Sequence, residues 1–150
     1  MTNPHLYHFK PAEFNREGVN WHPKTCPRLL VLMDLLRHNV NAPVIISPHP
    51  RAVGRTEGGN RNSQHRFDRW GQVRGVDFYV PGVRPDTVIS LMKQLGFTGI
   101  GFYPDGFLNN QPQPRYHGDT RRDRVPGEPA EWGYVDDKQV SIKEALESLR

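Results

Sequence analysis

The sequence is short of cysteine and of hydrophobic residues, and each shortage excludes a class of protein. Cys26 is the one cysteine among 150 residues, so neither an internal disulfide nor a cysteine-built zinc site can form, and we expect Cys26 to be a partly buried apolar side chain. Hydrophobic residues make up 35% of the chain, and no apolar run approaches the roughly 20 residues that cross a bilayer. The first residues, MTNPHLYHFKPAEF, lack the apolar core of a secretory signal. We therefore expect no membrane partner and no signal peptide.

Charge of one sign is not concentrated anywhere in the chain either. The formal net charge is +4, which favours anionic partners in general. The basic residues are interspersed with acids, as in residues 121–124, and form no long basic block. Such a pattern is typical of a solvated mixed surface, so nucleic acid is not an expected partner.

Glycine and proline, with fourteen residues each, indicate a single domain over residues 1–150 that is rich in loops. Because the last two predicted strands follow each other without a helix, a purely parallel sheet is disfavoured. We predict an α+β fold, with a mainly antiparallel sheet packed on helices and a long ligand-bearing loop. The predicted helices are 27–38, 85–95 and 141–149, the strands are 42–47, 75–80, 98–103 and 115–120, and the loops include 48–72, 105–114 and 124–133.

Three segments carry side chains that bind metals. His65 lies near the end of the long loop, and Asp77 and His117 lie within predicted strands. Two imidazoles and one carboxylate make a suitable set of three protein ligands for a catalytic zinc that keeps a fourth position for water. A carboxylate in a buried strand is costly unless it binds a metal or forms an ion pair, and for Asp77 an ion pair with Arg74 stays open.

The combination of motifs resembles a known family. Residues 63–65 (SQH), 75–78 (GVDF) and 116–119 (YHGD) are similar to the motifs of the zinc D-Ala-D-Ala carboxypeptidases and L-alanyl-D-glutamate endopeptidases, the LAS metallopeptidases. Residues 99–104 (GIGFYP) and 8–14 (HFKPAEF) resemble further stretches of that family. The resemblance covers most of the chain, from about residue 8 to residue 120.

This resemblance implies an activity, a cofactor and a partner. It implies that His65, Asp77 and His117 hold Zn²⁺, with Ser63 on the substrate side. The implied reaction is hydrolysis of amide bonds in peptidoglycan stem peptides, by a carboxypeptidase or an endopeptidase. Phage lysins and virion peptidases are common members, so the chain is expected to be phage-encoded or bacterial and to act on the cell wall. It would do so from the host cytoplasm before release or as part of a virion with other phage proteins.

The chain departs from the family pattern between the first two ligands. Most members hold the histidine and the aspartate closer together than His65 and Asp77, so residues 67–71 form an apparent insertion. Ligands need to be close only in space, so an insertion is compatible with the site. It keeps Asp68 as a rival for the carboxylate ligand.

A second departure concerns the catalytic base. Members of the family carry a histidine two residues before the last ligand or an acid three before it, where this chain has Arg115 and Pro114. Asp119 shares a strand face with His117, so it could act as the base or could orient the His117 ring. Arg51 or Arg115 is expected to polarise the scissile carbonyl or to hold a substrate carboxylate.

The alternative function is a catalytically inactive or structural relic of this fold. Such a protein would serve as a phage virion component or a wall-binding module. A measurement of zinc stoichiometry separates the two interpretations.

Overall fold

A six-stranded sheet lies at the centre of the part of the chain that the computed structural model describes, residues 4–149. Residues 1–3 and Arg150, which belong to the predicted single domain, lie outside the described residues. Short 3-10 turns at Pro11–Phe14 and His22–Lys24 precede the first long helix. The strands are β1 (Asn15–Arg16), β2 (Val19–Asn20), β3 (Ile45–Ile46), β4 (Gly75–Tyr79), β5 (Gly99–Tyr103), β6 (Phe107–Leu108), β7 (Gln111–Pro112), β8 (Arg115–Asp119), β9 (Ala130–Val135) and β10 (Lys138–Val140), and the helices are α1 (Pro27–Val40), α2 (Phe67–Trp70), α3 (Pro85–Leu95) and α4 (Ile142–Glu147).

The sheet is mixed but mainly antiparallel. Its strand order is β10-β9-β5-β8-β4-β3, and β5 and β9 form a parallel pair. Strand β8 lies between β4 and β5 and runs antiparallel to both. The predicted α+β class, with an antiparallel sheet on helices, is confirmed.

Local sequence signals place most of the predicted elements correctly. Helix α3 has the predicted bounds and ends at Gly96, whose φ of 105° suits glycine. Helix α1 continues two residues past the predicted end and stops at Asn41, which is also left-handed. Helix α4 begins after Ser141, whose hydroxyl accepts a hydrogen bond from the backbone N–H of Glu144. The four predicted strands each contain an observed strand, although the predicted strand 42–47 is reduced to β3.

The prediction that residues 124–133 form a loop is wrong at its end, because β9 begins at Ala130. Strand β9 is only partly buried, and Glu131 and Tyr134 are exposed. The glycine within it, Gly133, packs against Ala145 of α4, so a Cβ there would approach the Ala145 methyl to 2.6 Å. These features come from tertiary packing, which local periodicity does not report.

Alternation along the central strands separates a core face from a site face. The core face carries apolar side chains that pack with the helices, and Gly118 contacts Phe97 and Met92 on that side. The opposite face presents Asp77 and His117. Within residues 4–149, no helix has the length and apolar character that a membrane span requires. The core residues of the central strands are Val76, Phe78, Ile100, Phe102 and Tyr116.

Candidate metal centre

The register of the sheet brings two of the predicted ligands together. Asp77 on β4 lies directly opposite His117 on β8. Directly opposed residues of an antiparallel pair project from the same face with Cβ atoms about 5 Å apart. The His117 Nδ1 and Asp77 Oδ1 atoms are 3.0 Å apart.

The third predicted ligand, His65, comes from the long loop. Its carbonyl accepts a hydrogen bond of 3.0 Å from the backbone N–H of Arg55, and its ring Nδ1 lies 2.8 Å from the Val53 carbonyl. A carbonyl can only accept, so Nδ1 carries a proton and Nε2 is the ring nitrogen left to bind a metal. That Nε2 lies 3.3 Å from Asp77 Oδ1, so the loop aims the metal-binding nitrogen at the other two ligands.

The insertion leaves this geometry intact because it forms a closed helical turn. Helix α2 (Phe67–Trp70) ends at Gly71 with a φ of 72°. The Trp70 indole N–H donates to the Ser63 carbonyl at 2.9 Å, and the Phe67 ring packs on Trp21. The extra residues therefore loop out and return, which lets residues twelve apart in sequence meet in space.

Asp68 lies on α2 and is not part of the cluster. Its carboxylate is exposed and accepts two hydrogen bonds from Arg66, at 2.8 and 2.6 Å. The Arg66 guanidinium lowers the Asp68 pKa below its usual value. Asp68, the rival carboxylate ligand, therefore pairs with Arg66 and lies outside the cluster.

The ion pair between Asp77 and Arg74, which the sequence left open, is not formed among the described residues. The Arg74 guanidinium lies 4.5 Å from the centroid of the Trp70 ring. Asp77 instead pairs with His65 and His117. Burial acts to raise the Asp77 pKa, but the two imidazoles lower it, and the net pKa lies well below the usual range. The Asp77 carboxylate is therefore ionised at neutral pH.

The three groups meet the requirements of a metal site. Their ligand atoms all lie within 4.8 Å of one another. The two histidines are buried, whereas the Asp77 side chain is 19% exposed, so the cluster opens on one side. Two nitrogens and one oxygen, with an open side, fit the donor set of a catalytic zinc.

His117 lies between two carboxylates in this cluster. Burial acts to lower its pKa, but hydrogen bonds to Asp119 and Asp77 raise the pKa to about 9. Without a metal, the imidazole therefore carries a proton on Nδ1 at neutral pH. A metal must displace that proton to bind Nδ1, so metal binding at His117 is coupled to proton release.

Asp119 lies behind the His117 ring, on the side away from Asp77. Its Oδ2 is 2.8 Å from His117 Nε2 and 2.6 Å from Arg121 Nη2, and Oδ1 accepts from the backbone N–H and Nε of Arg121. The carboxylate is fully buried. Burial acts to raise the Asp119 pKa, but His117 and Arg121 hold it below the usual range. Both oxygens are occupied, so this geometry supports the interpretation in which Asp119 orients the His117 ring.

Two glycines of β5 make room for these groups. A Cβ at Gly99 would collide with the Asp119 carboxylate, and one at Gly101 would lie 2.8 Å from the Trp132 indole. Trp132 therefore packs next to His117, with ring centroids 5.3 Å apart. Trp132 also forms one wall of the cleft that lies over the cluster. The alternating glycines of the 99–103 strand were the signal that could have placed a bulky side chain there.

A basic cleft of about 850 Å³ lies over the cluster. Arg115 and Ser63, two residues that the sequence analysis assigned to the site, both line it. The Ser63 hydroxyl accepts hydrogen bonds from Arg55 Nη2 at 3.2 Å and from the backbone N–H of His65 at 3.3 Å. The cleft also contains cationic side chains that sequence reasoning did not include: Arg55, Arg121 and Arg124.

Arg51 does not reach this cleft, which corrects its predicted place in the site. It lies in a neighbouring depression, where its exposed Nη2 is 3.4 Å from the Glu57 carbonyl. Arg55 lines the cleft instead, because its backbone pairs with the loop that carries His65. Burial and the nearby Arg51 lower the Arg55 pKa, and Asp77 acts to raise it. Whether Arg51 or Arg55 lines the cleft is decided by the conformation of this loop.

Comparison with known proteins gives one match. A family model described as Peptidase M15 matches residues 7–107, about two thirds of the chain. The matched segment contains His65 and Asp77 and ends before β8, which carries His117. No curated protein and no solved structure matches the chain.

Proposed function

The chain belongs to the peptidase M15 family, and from that premise we propose that it hydrolyses amide bonds in peptidoglycan stem peptides with the help of zinc. The family makes it a metallopeptidase, and the cluster of His65, Asp77 and His117 could hold the metal. The family match confirms the resemblance to the LAS metallopeptidases. The convergence of these three side chains is the observation that carries the proposal.

The donor set suits zinc better than it suits magnesium or calcium. Imidazole nitrogens suit zinc, whereas magnesium and calcium prefer oxygen ligands. When bound, zinc would polarise the scissile carbonyl and lower the pKa of a water. His65, Asp77 and His117 would hold it from one side and leave the side facing the cleft open to a substrate.

The surrounding residues hold these ligands in place. The Val53 carbonyl fixes the orientation of His65, and Asp119 fixes that of His117. Arg55, held by the Ser63 hydroxyl, extends along the cleft wall. A guanidinium there can stabilise the negative charge that develops on the carbonyl oxygen during attack on the amide.

The charge of the cleft supports a peptidoglycan substrate. Four arginines line the cleft, against Asp77 and Glu131 as acidic residues. Stem peptides are rich in carboxylates, so their charge is complementary. Phage origin, association with a virion and a site of action at the cell wall remain predictions from the resemblance. The family that it indicates contains both carboxypeptidases and endopeptidases.

The proposed function is tested by two measurements on the same preparation. Protein produced with ample zinc should contain about one zinc per chain. Purified sacculi should release peptides with new termini, identified by mass spectrometry, and a chelator should stop the release. A zinc content near zero, with no uptake on addition of zinc, would refute this proposal and favour the structural relic.

We expect Asp119→Asn to weaken zinc binding rather than to impair proton transfer. The amide keeps the shape but loses the charge that holds the His117 ring and neutralises Arg121. The loss of a group that orients a metal ligand typically lowers affinity by roughly 10–100-fold. Competition with a chromogenic chelator measures this affinity.

Asp123→Asn is the matched control, because Asp123 is exposed and lies in the same segment. It should bind zinc with nearly unchanged affinity. If Asp119→Asn instead bound zinc normally and lost about 10²–10⁴ in rate, Asp119 would be the general base.

A further inference from the structure

Arg115 is a positive charge in the cleft without an anionic partner. Within residues 4–149, none of its guanidinium nitrogens forms a hydrogen bond or an ion pair, and its Nε is buried and unsatisfied. A buried donor without a partner is unfavourable, because it has lost its hydrogen bonds to water. The cleft therefore contains hydrogen-bonding capacity that the protein itself does not use.

The guanidinium is nevertheless held in a defined place. It lies 4.4 Å from the centroid of the Tyr103 ring, which stands opposite Arg115 in the sheet. The Tyr103 hydroxyl accepts a hydrogen bond of 3.1 Å from the Trp132 indole, and the Tyr103 ring stacks on the Tyr134 ring. Arg115 thus rests on a fixed aromatic support, so little side-chain entropy remains to be lost when a ligand binds.

The position of Arg115 relative to the metal ligands is set by the strand. Arg115, His117 and Asp119 alternate along β8 and project from the same face. Asp119 lies on one side of His117 and is neutralised by Arg121. Arg115 lies on the other side, about 7 Å along the strand from His117, with no described carboxylate to neutralise it. An extended peptide covers that distance with about two residues.

We infer that Arg115 forms an anion subsite that binds a free carboxylate of the peptide substrate within two residues of the scissile amide. This inference rests on the proposed function and deepens it, because it makes Arg115 a specificity-determining residue. Guanidinium groups bind carboxylates through two parallel hydrogen bonds, which fixes orientation as well as charge. A substrate with a neutral group at that position leaves the guanidinium unpaired.

Stem peptides offer this carboxylate from two sources. One is the α-carboxylate of the γ-linked D-glutamate, and the other is the carboxylate at the C-terminus of the peptide. Three versions of L-Ala-γ-D-Glu-L-Lys-D-Ala-D-Ala separate them: the unmodified peptide, one amidated at the D-glutamate α-carboxyl, and one amidated at the C-terminus. Binding to the metal-free full chain is measured by NMR titration of the ¹⁵N-labelled protein, so hydrolysis is not required.

We expect one of the two amidated peptides to bind roughly 10–100-fold more weakly than the unmodified peptide, the usual effect of losing a charged hydrogen-bonding partner. Arg115→Met should remove this preference, and Arg115→Lys should keep a part of it because a lysine retains the charge but lacks the fork. Arg122→Met is the control for charge alone, because Arg122 is exposed and does not line the cleft. It should keep the preference.

Two results would overturn the inference: no difference among the three peptides in the wild-type protein, or a preference that survives in a folded Arg115→Met variant. Failure of the proposed function would look different. In that case the sacculi would stay intact, while the preference of the metal-free protein for a carboxylate would still depend on Arg115.

Discussion

Asp77→Ala should abolish both zinc binding and hydrolysis of sacculi. Asp77 is the one carboxylate of the cluster, and both histidines direct a ring nitrogen at its Oδ1. Removing it leaves two neutral ligands and no negative charge to offset the metal, so affinity and turnover should both fall below detection. Zinc analysis after dialysis, together with release of peptides from sacculi, measures the two losses.

The variant also removes a partner from two buried imidazoles, which affects folding. Loss of one member of a buried ion pair costs roughly 3–5 kcal/mol, so Asp77→Ala could unfold part of the population. Asp77→Asn keeps the shape and can still hydrogen bond to His65 and His117. It should be folded by circular dichroism and should still fail to retain zinc.

Asp68→Ala is the matched control for this experiment. Asp68 is the nearest carboxylate in the inserted segment, and its partner is the Arg66 side chain on the surface. Solvent-exposed pairs of this kind contribute little to stability, so the variant should keep zinc and activity. If Asp68→Ala lost the metal and Asp77→Asn kept it, the assignment of the ligands would be reversed.

The sequence predicted the parts of the site that depend on strand pattern. Asp77 occupies an apolar strand with clear boundaries, where a polar group needs a partner, and the family motif indicated His117. Their meeting requires only that β4 and β8 be neighbours in the antiparallel sheet. The place of His65 followed from the family motif, and the inserted helical turn leaves it undisturbed.

The parts that depend on loop conformation were not predictable in the same way. Arg51 and Arg55 have the same side chain and both follow β3 within a few residues. Arg55 faces the cleft because its backbone and side chain hydrogen bond to the loop that carries His65. Likewise, two roles were open for Asp119, and the choice depends on Arg121 and on the space that Gly99 provides.

Arg55→Met should lower the rate of hydrolysis by about 10²–10³-fold while zinc stays bound. Removal of one donor that stabilises a developing oxyanion has an effect of this size in other hydrolases. Methionine keeps much of the apolar length of the side chain, so the change removes the charge and the hydrogen bond to Ser63 with little loss of packing. Hydrolysis of a soluble muropeptide, measured as kcat/KM, gives the effect together with the zinc content of each variant.

Arg51→Met is the matched control for this prediction, because it removes the same charge four residues earlier. Arg51 is exposed outside the cleft, so its loss acts only through long-range electrostatics that solvent and salt screen, and kcat/KM should change by less than about threefold.

Arg55→Lys should retain part of the activity, because a lysine supplies the charge without the planar fork. Equal losses in Arg51→Met and Arg55→Met would mean that the net charge of the region matters and that neither guanidinium contacts the substrate. A large loss in Arg51→Met alone would restore the residue that the sequence favoured and would require the loop to rearrange when substrate binds.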